Sequence, residues 1–321
     1  MTSVSDVSSH VRDEPPPQSV TPIEAIPVRR PVRWLVTAAC LAVAVSLAYS
    51  VSVNERYQWD VVGNYLFAAP ILQGLVVTIE LTAIGMAIGI VLGVLMAVMR
   101  LSDVPAARVF SWLYLGFFRG TPVLVQLIFW YNLAALYPEL TLGIPFGPDL
   151  WLVDVNVLIT PFVAAILGLG LNEGAYMAEI VRSGILSVGT GQSQAAAALG
   201  LSRRQTMRRI VLPQAMRVIV PPTGNQLITM LKMTAVVSVI AMSELLYSAQ
   251  TIYSQTYEVI PLLIVVSIWY LVVTTLLTIG QSFLERRFSR GFSRGERISA
   301  KQALLQALPI PSRSRHTRSN A

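Results

Sequence analysis

Few residues in this chain could carry chemistry, and the strongest candidate stands in unusual company. The only lysines are Lys232 and Lys301. Lys232 lies in an otherwise apolar stretch, with Asn225, Gln226 and Thr229 before it and Thr234 and Ser238 after it. A charged side chain at the centre of a bilayer costs about 2.5–3.5 kcal/mol on insertion scales, so it must face protein or a water-filled path. Asn225, Gln226, Lys232, Thr234 and Ser238 are therefore read as lining a path for a polar solute, with Lys232 near a carboxylate of that solute. The alternatives are an ion pair with Glu80 or Glu244, or a side chain that snorkels to the interface.

Other chemistry is excluded by what is missing. The two histidines, His10 and His316, lie in polar tails, so neither can serve as a base inside the folded body. Cys40 is alone, which excludes an internal disulfide and any multi-cysteine metal site. A phosphate-binding loop needs Gly-Lys followed by Ser or Thr, and the two lysines follow Leu231 and Ala300. No catalytic set, metal site or cofactor is expected, and any ATP would have to be bound elsewhere.

A second group of residues has the spacing of a recognition element. Residues 191–198 read as a short helix bounded by glycine, carrying Gln194, Ala195 and Ala196, and Gly200 can close it in the left-handed conformation. Ser202 and Gln205 form a capping box for a second helix through Arg203, Arg204 and Ile210 to Leu212 and Pro213. Alanine allows close approach and arginine pairs with carboxylates, which suits insertion into a groove of another protein. An amphipathic loop resting on anionic lipid would use the same arginines. A third group is Arg119, Thr121 and Gln126, around Gly120 and Pro122. Arg119 either anchors at headgroups or closes a gate. Glu179 and Arg182, three apart on one helix face, are expected to pair.

The elements that carry these residues are set by composition. Of 321 residues, 54% are hydrophobic and 13% charged, and the mean hydropathy is +0.61. Soluble domains sit near 45–50% apolar and about 25% charged, so the chain is built for lipid. The formal net charge of +7 is spread in short clusters between apolar runs and makes no nucleic-acid face. Six spans are predicted, at about 34–53, 71–99, 121–137, 157–181, 218–242 and 260–283, in an all-α polytopic fold. The last but one is interrupted by Pro221 and Pro222, which are expected to break its helix. Gly85, Gly89 and Gly93 form a ridge for close helix packing. Lysine and arginine in the connections put both termini in the cytoplasm. Residues 1–33 read as a disordered cytoplasmic tail and 288–321 as a basic one.

The run from Gln194 to Pro213 resembles the EAA motif of ABC importer permeases, with Gly200, Ile210, Leu212 and Pro213 at the family's spacing and Gln194 where Glu is usual. Arg119-Gly120-Thr121-Pro122 with Gln126, the run from Gly174 to Arg182, and Leu212-Pro213-Gln214-Ala215 resemble the branch handling His, Glu, Gln, Arg and opines. The resemblance implies a type I importer core of five spans over residues 72–287, with the helix at 34–53 as an addition. It implies that the hairpin at 191–213 couples to separate ATPase subunits, which bind ATP and Mg. It also implies an extracytoplasmic solute-binding protein, a homodimer or a second related permease, and a bacterial plasma-membrane location. The rival is an ion-coupled secondary amino-acid transporter, for which Glu80 is the expected carboxylate within a span.

Overall fold

The computed structural model describes residues 31–143 and 149–288. The expected disordered tail lies outside these residues from 1 to 30, and the basic tail from 289 onward. The chain divides into two compact units, residues 1–57 and 58–321. In the first, helix α1 (Pro31–Val53) has 23 residues, about 34 Å, enough to cross a hydrocarbon core of about 30 Å. It begins three residues before the expected start. Proline is at home as the first helical residue because an N–H there would have no helical partner.

The second unit opens with α2 (Trp59–Leu66) and α3 (Ala69–Leu101). Next come α4 (Pro105–Gly120) and α5 (Val123–Tyr131), bent by 101° at the Thr121-Pro122 step. Proline forces the residue before it out of the helical region, and Thr121 is extended at φ −112°, ψ 143°. The expectation that residues from 121 onward span alone is corrected here. The nine residues of α5 rise only about 13 Å, so the pair has the length and composition of a crossing only when α4 and α5 are taken together, as a broken span or a re-entrant loop.

A two-stranded antiparallel hairpin follows, β1 (Glu139–Gly143) and β2 (Asp149–Asp154), with Glu139 opposite Asp154. Hydropathy did not reveal it in an otherwise helical fold. The short α6 (Val155–Leu158) leads to α7 (Pro161–Leu186), whose first turn is capped by the Thr160 hydroxyl accepting from the Val163 N–H. Beyond it lie α8 (Thr190–Ala198), α9 (Arg203–Thr206), a π turn (Met207–Val211) and α10 (Leu212–Met233). A 3-10 segment (Thr234–Ile240), α11 (Leu245–Thr256) and α12 (Val259–Phe288) complete the unit.

Three described helices are long and apolar enough to cross a membrane, or up to five crossings if each bent pair counts as one. Helix α7 is outside that count although its 26 residues would reach about 39 Å, because it carries Asn172, Glu173, Glu179 and Arg182. It lies at the centre of the bundle, with Ala164, Ala165, Leu169, Ala175 and Met177 buried. The glycine ridge of α3 is what lets α7 in. A Cβ on Gly89 would come 2.5 Å from the Glu173 side chain, and one on Gly93 would come 2.9 Å from the Ala178 backbone nitrogen. Helix α7 answers with Gly174, where a Cβ would lie 2.9 Å from Leu92. Glycine on one helix thus seats a larger side chain of the other, and such close packing replaces the hydrophobic drive that lipid cannot supply. At the hairpin end of α7, Gly184 lets Ile219 of α10 approach so closely that a Cβ there would lie within about 3 Å of it.

Candidate coupling and translocation site

The hairpin is held by local backbone chemistry. Gly200 has φ +77°, its N–H donates to Ala197 O (2.9 Å), and the Leu201 N–H donates to Ala196 O (3.0 Å). This pair of bonds is the Schellman closure of a helix. The Ser202 hydroxyl accepts from the Gln205 N–H (3.3 Å) while the Gln205 side chain accepts from the Ser202 N–H (2.9 Å), a complete capping box. Ala196 is buried, whereas Gln194, Ala195, Arg203 and Arg204 are exposed. Arg203 reaches Asp103 at 3.5 Å, with both side chains in solvent.

The second helix of the hairpin does not stop at Leu212 and Pro213. The π turn takes up the register ahead of Pro213, which cannot donate a backbone bond. The Gln214 side-chain amide donates to Ile210 O (3.0 Å) at the same place. Helical structure therefore runs without a stop from Arg203 to Ile240, with Ile210 half-buried and Leu212 and Pro213 exposed. Pro221 and Pro222 likewise lie inside α10 and do not break it. The Gln281 side chain of α12 donates to Pro221 O (3.3 Å) and Asn225 Oδ1 (2.9 Å), and the Thr223 hydroxyl donates to Ile219 O (2.8 Å). The carbonyls that Pro221 and Pro222 deprive of a helical donor are those of Arg217 and Val218, four residues earlier, so these bonds tie α12 to the proline turn rather than replace the lost ones.

The polar stripe divides. Asn225, Thr229 and Lys232 are exposed, and their spacing of four and three puts them on one face of α10. Gln226 turns the other way and donates to both carboxylate oxygens of the buried Glu173 on α7 (3.3 and 3.5 Å). Thr234 is fully buried, its hydroxyl on Leu231 O (2.7 Å). Ser238 is half-buried and donates to Ala235 O (2.8 Å). Among the described residues no ion pair joins Lys232 to Glu80 or Glu244. Glu80 is exposed, while Glu244 is buried and accepts from the N–H groups of Leu246 (2.9 Å) and Tyr247 (2.8 Å) and from the Tyr270 hydroxyl (3.3 Å). The carboxylates inside the bundle are thus Glu173 and Glu244, not Glu80.

At the elbow between α4 and α5, Gln126 is buried and donates to Phe118 O (3.1 Å), Thr121 O (3.1 Å) and the Thr121 hydroxyl (2.7 Å). Asn172 of α7 also donates to Phe118 O (2.8 Å) and approaches the Gln126 carbonyl at 3.4 Å. Gln126 and Thr121 thus hold the bend itself, whereas Arg119 points away from it, its guanidinium 5.6 Å from the Tyr176 ring centre. Glu179 and Arg182 form the expected ion pair. Sequence reasoning missed Asn172, Gln281 and the capping role of Glu244. A lone amide or carboxylate in an apolar helix marks Asn172 and Gln281, but its partner lies tens of residues away.

The long apolar helices, the bent pairs and the capped hairpin between α7 and α10 describe a polytopic membrane protein. The family of binding-protein-dependent transport system inner membrane components matches residues 89–290, and the chain belongs to it. The arginine transport system permease protein ArgU of Corynebacterium glutamicum is 46% identical over 275 residues, 85% of each chain. The glutamine transport system permease protein GlnP of Escherichia coli is 34% identical over 233 residues, 72% of this chain and 98% of that relative. The crystal structure of an amino acid ABC transporter with histidines superposes with a TM-score of 0.59 at 34% identity, covering 68% of this chain and 94% of the other. The MetNI methionine ABC transporter shares the fold, with a TM-score of 0.50 at 20% identity over 70% of this chain and 97% of that one.

Proposed function

We propose that this chain forms the translocation path of an ATP-driven importer for polar α-amino acids, with L-arginine the first substrate to test. The ArgU relative supports that choice of solute. The observation that carries the reading is mechanical. A hairpin fixed by a Schellman closure and a capping box continues as helix into the segment that bears the exposed Lys232. In this reading the hairpin, through Gln194, Ala195, Ala196, Gly200, Arg203 and Arg204, seats in separate ATPase subunits that bind ATP and Mg. Asn225, Thr229 and Lys232 face the solute, Lys232 near its carboxylate. Both termini lie in the cytoplasm, a solute-binding protein delivers the cargo from outside, and a second copy or a related permease completes the path.

The test is ATP-driven uptake by the chain reconstituted with its ATPase and binding protein. Bulky acids at Gly200 and at the alanines before it should abolish co-purification with the ATPase, and full-rate uptake by such a variant would refute the coupling role. Lys232→Met should abolish uptake while the ATPase still co-purifies. An ion-coupled carrier is the second reading, because Glu173 is a buried carboxylate at a helix crossing. Uptake driven by an ion gradient in liposomes without any ATPase would favour it.

A further inference from the structure

Arg119 is an exposed cation at the elbow of the α4–α5 pair, and nothing proposed so far uses it. It is the penultimate residue of α4 at the elbow, and its guanidinium lies over the face of Tyr176. Tyr176 itself is 39% exposed, so guanidinium and ring together present a polar surface. One turn further along α7 toward the hairpin lies the Glu179 carboxylate, paired with Arg182. The Arg119 elbow is fixed from behind by Gln126 and Asn172, which places the guanidinium without consuming its donors.

Arg119 and Lys232 stand at different depths. Helices α7 and α10 run antiparallel, since Glu173 meets Gln226 and Gly184 meets Ile219. Lys232 lies six residues beyond Gln226, away from the hairpin, and Tyr176 three residues beyond Glu173, toward it. At 1.5 Å per residue their levels differ by about 13 Å along the bundle. A guanidinium presents a planar fork that matches a carboxylate with two parallel bonds, whereas an ammonium offers a point charge.

We infer that Arg119, stacked on Tyr176, is a second binding station for the α-carboxylate of the transported amino acid, nearer the hairpin than Lys232. The solute then passes from an ammonium to a guanidinium as the path changes access, with the nearby Glu179 carboxylate offering a counterpart to the α-ammonium. This rests on the proposed import function and adds a station to it.

The test measures binding of radiolabelled L-arginine and of agmatine, its decarboxylated amine, to the whole permease–ATPase complex. It is done without nucleotide and again after trapping with nucleotide and vanadate, and the ratio of the two affinities reads the carboxylate contact. Arg119→Gln should reduce that ratio tenfold or more in one of the two states, and Lys232→Met should do so in the other. Arg119→Lys, which keeps the charge and loses the fork, should reduce it by a smaller factor, and it carries the test should Arg119→Gln fail to assemble. An unchanged ratio in both states for an assembled Arg119 variant overturns the second station. If the wild-type complex binds neither compound, while reconstituted uptake of L-arginine also fails, the import reading falls instead.

Discussion

Gln126 shows how much one amide can hold in a membrane interior. The Thr121-Pro122 step leaves backbone carbonyls at the elbow without helical donors, and the Gln126 amide supplies one to Phe118, Thr121 and the Thr121 hydroxyl. Replacing it by Leu keeps the volume and leaves buried acceptors unpaired, which costs about 1–3 kcal/mol. Gln126→Leu should therefore lower the thermal midpoint of the purified complex, with a smaller additional loss from Asn172→Leu because the two share the Phe118 carbonyl. An unchanged midpoint would mean that Pro122 alone fixes the bend. At this scale the sequence is informative about which residues are special and silent about where they point. Asn225 and Gln226 are neighbours in the chain, yet one is exposed and the other reaches a carboxylate 53 residues away.

At the scale of elements, the local code reads well and the tertiary code does not. The hairpin was legible in full, from Gly200 to the Ser202–Gln205 box, because each bond in it closes within a few residues. The elbow was legible for the same reason, since proline acts on the residue beside it. Pro213, Pro221 and Pro222 misled because the helix carries on through them, with a π turn ahead of Pro213 and with Gln281 of another helix bound at Pro221 O. Two substitutions test the elements. Gly89→Val should overpack the α3–α7 seam by about 1–3 kcal/mol and reduce the yield of folded protein, whereas Gly116→Ala, where a Cβ meets nothing within 4 Å, should be tolerated. Gly200→Val meets no neighbour either, but its left-handed φ should cost about 1–2 kcal/mol. It should weaken ATPase co-purification, and Gly200→Asn, which accepts that conformation, should restore it.

For the whole molecule, the close approach of Gly184 to Ile219 gives the long helix a pivot. From Arg203 to Ile219 is sixteen residues, about 24 Å, and from Ile219 to Lys232 thirteen, about 20 Å. A beam resting on such a fulcrum has arms of nearly equal length, so under the proposed coupling a push of a few ångströms at the hairpin would reappear at Lys232 at roughly the same size and in the opposite direction. Filling the notch with Gly184→Leu in an Ile219→Ala background, which makes room for the new side chain, would shift the fulcrum rather than the ends. Uptake would then uncouple from ATP hydrolysis even though no residue that meets solute or engine had been touched.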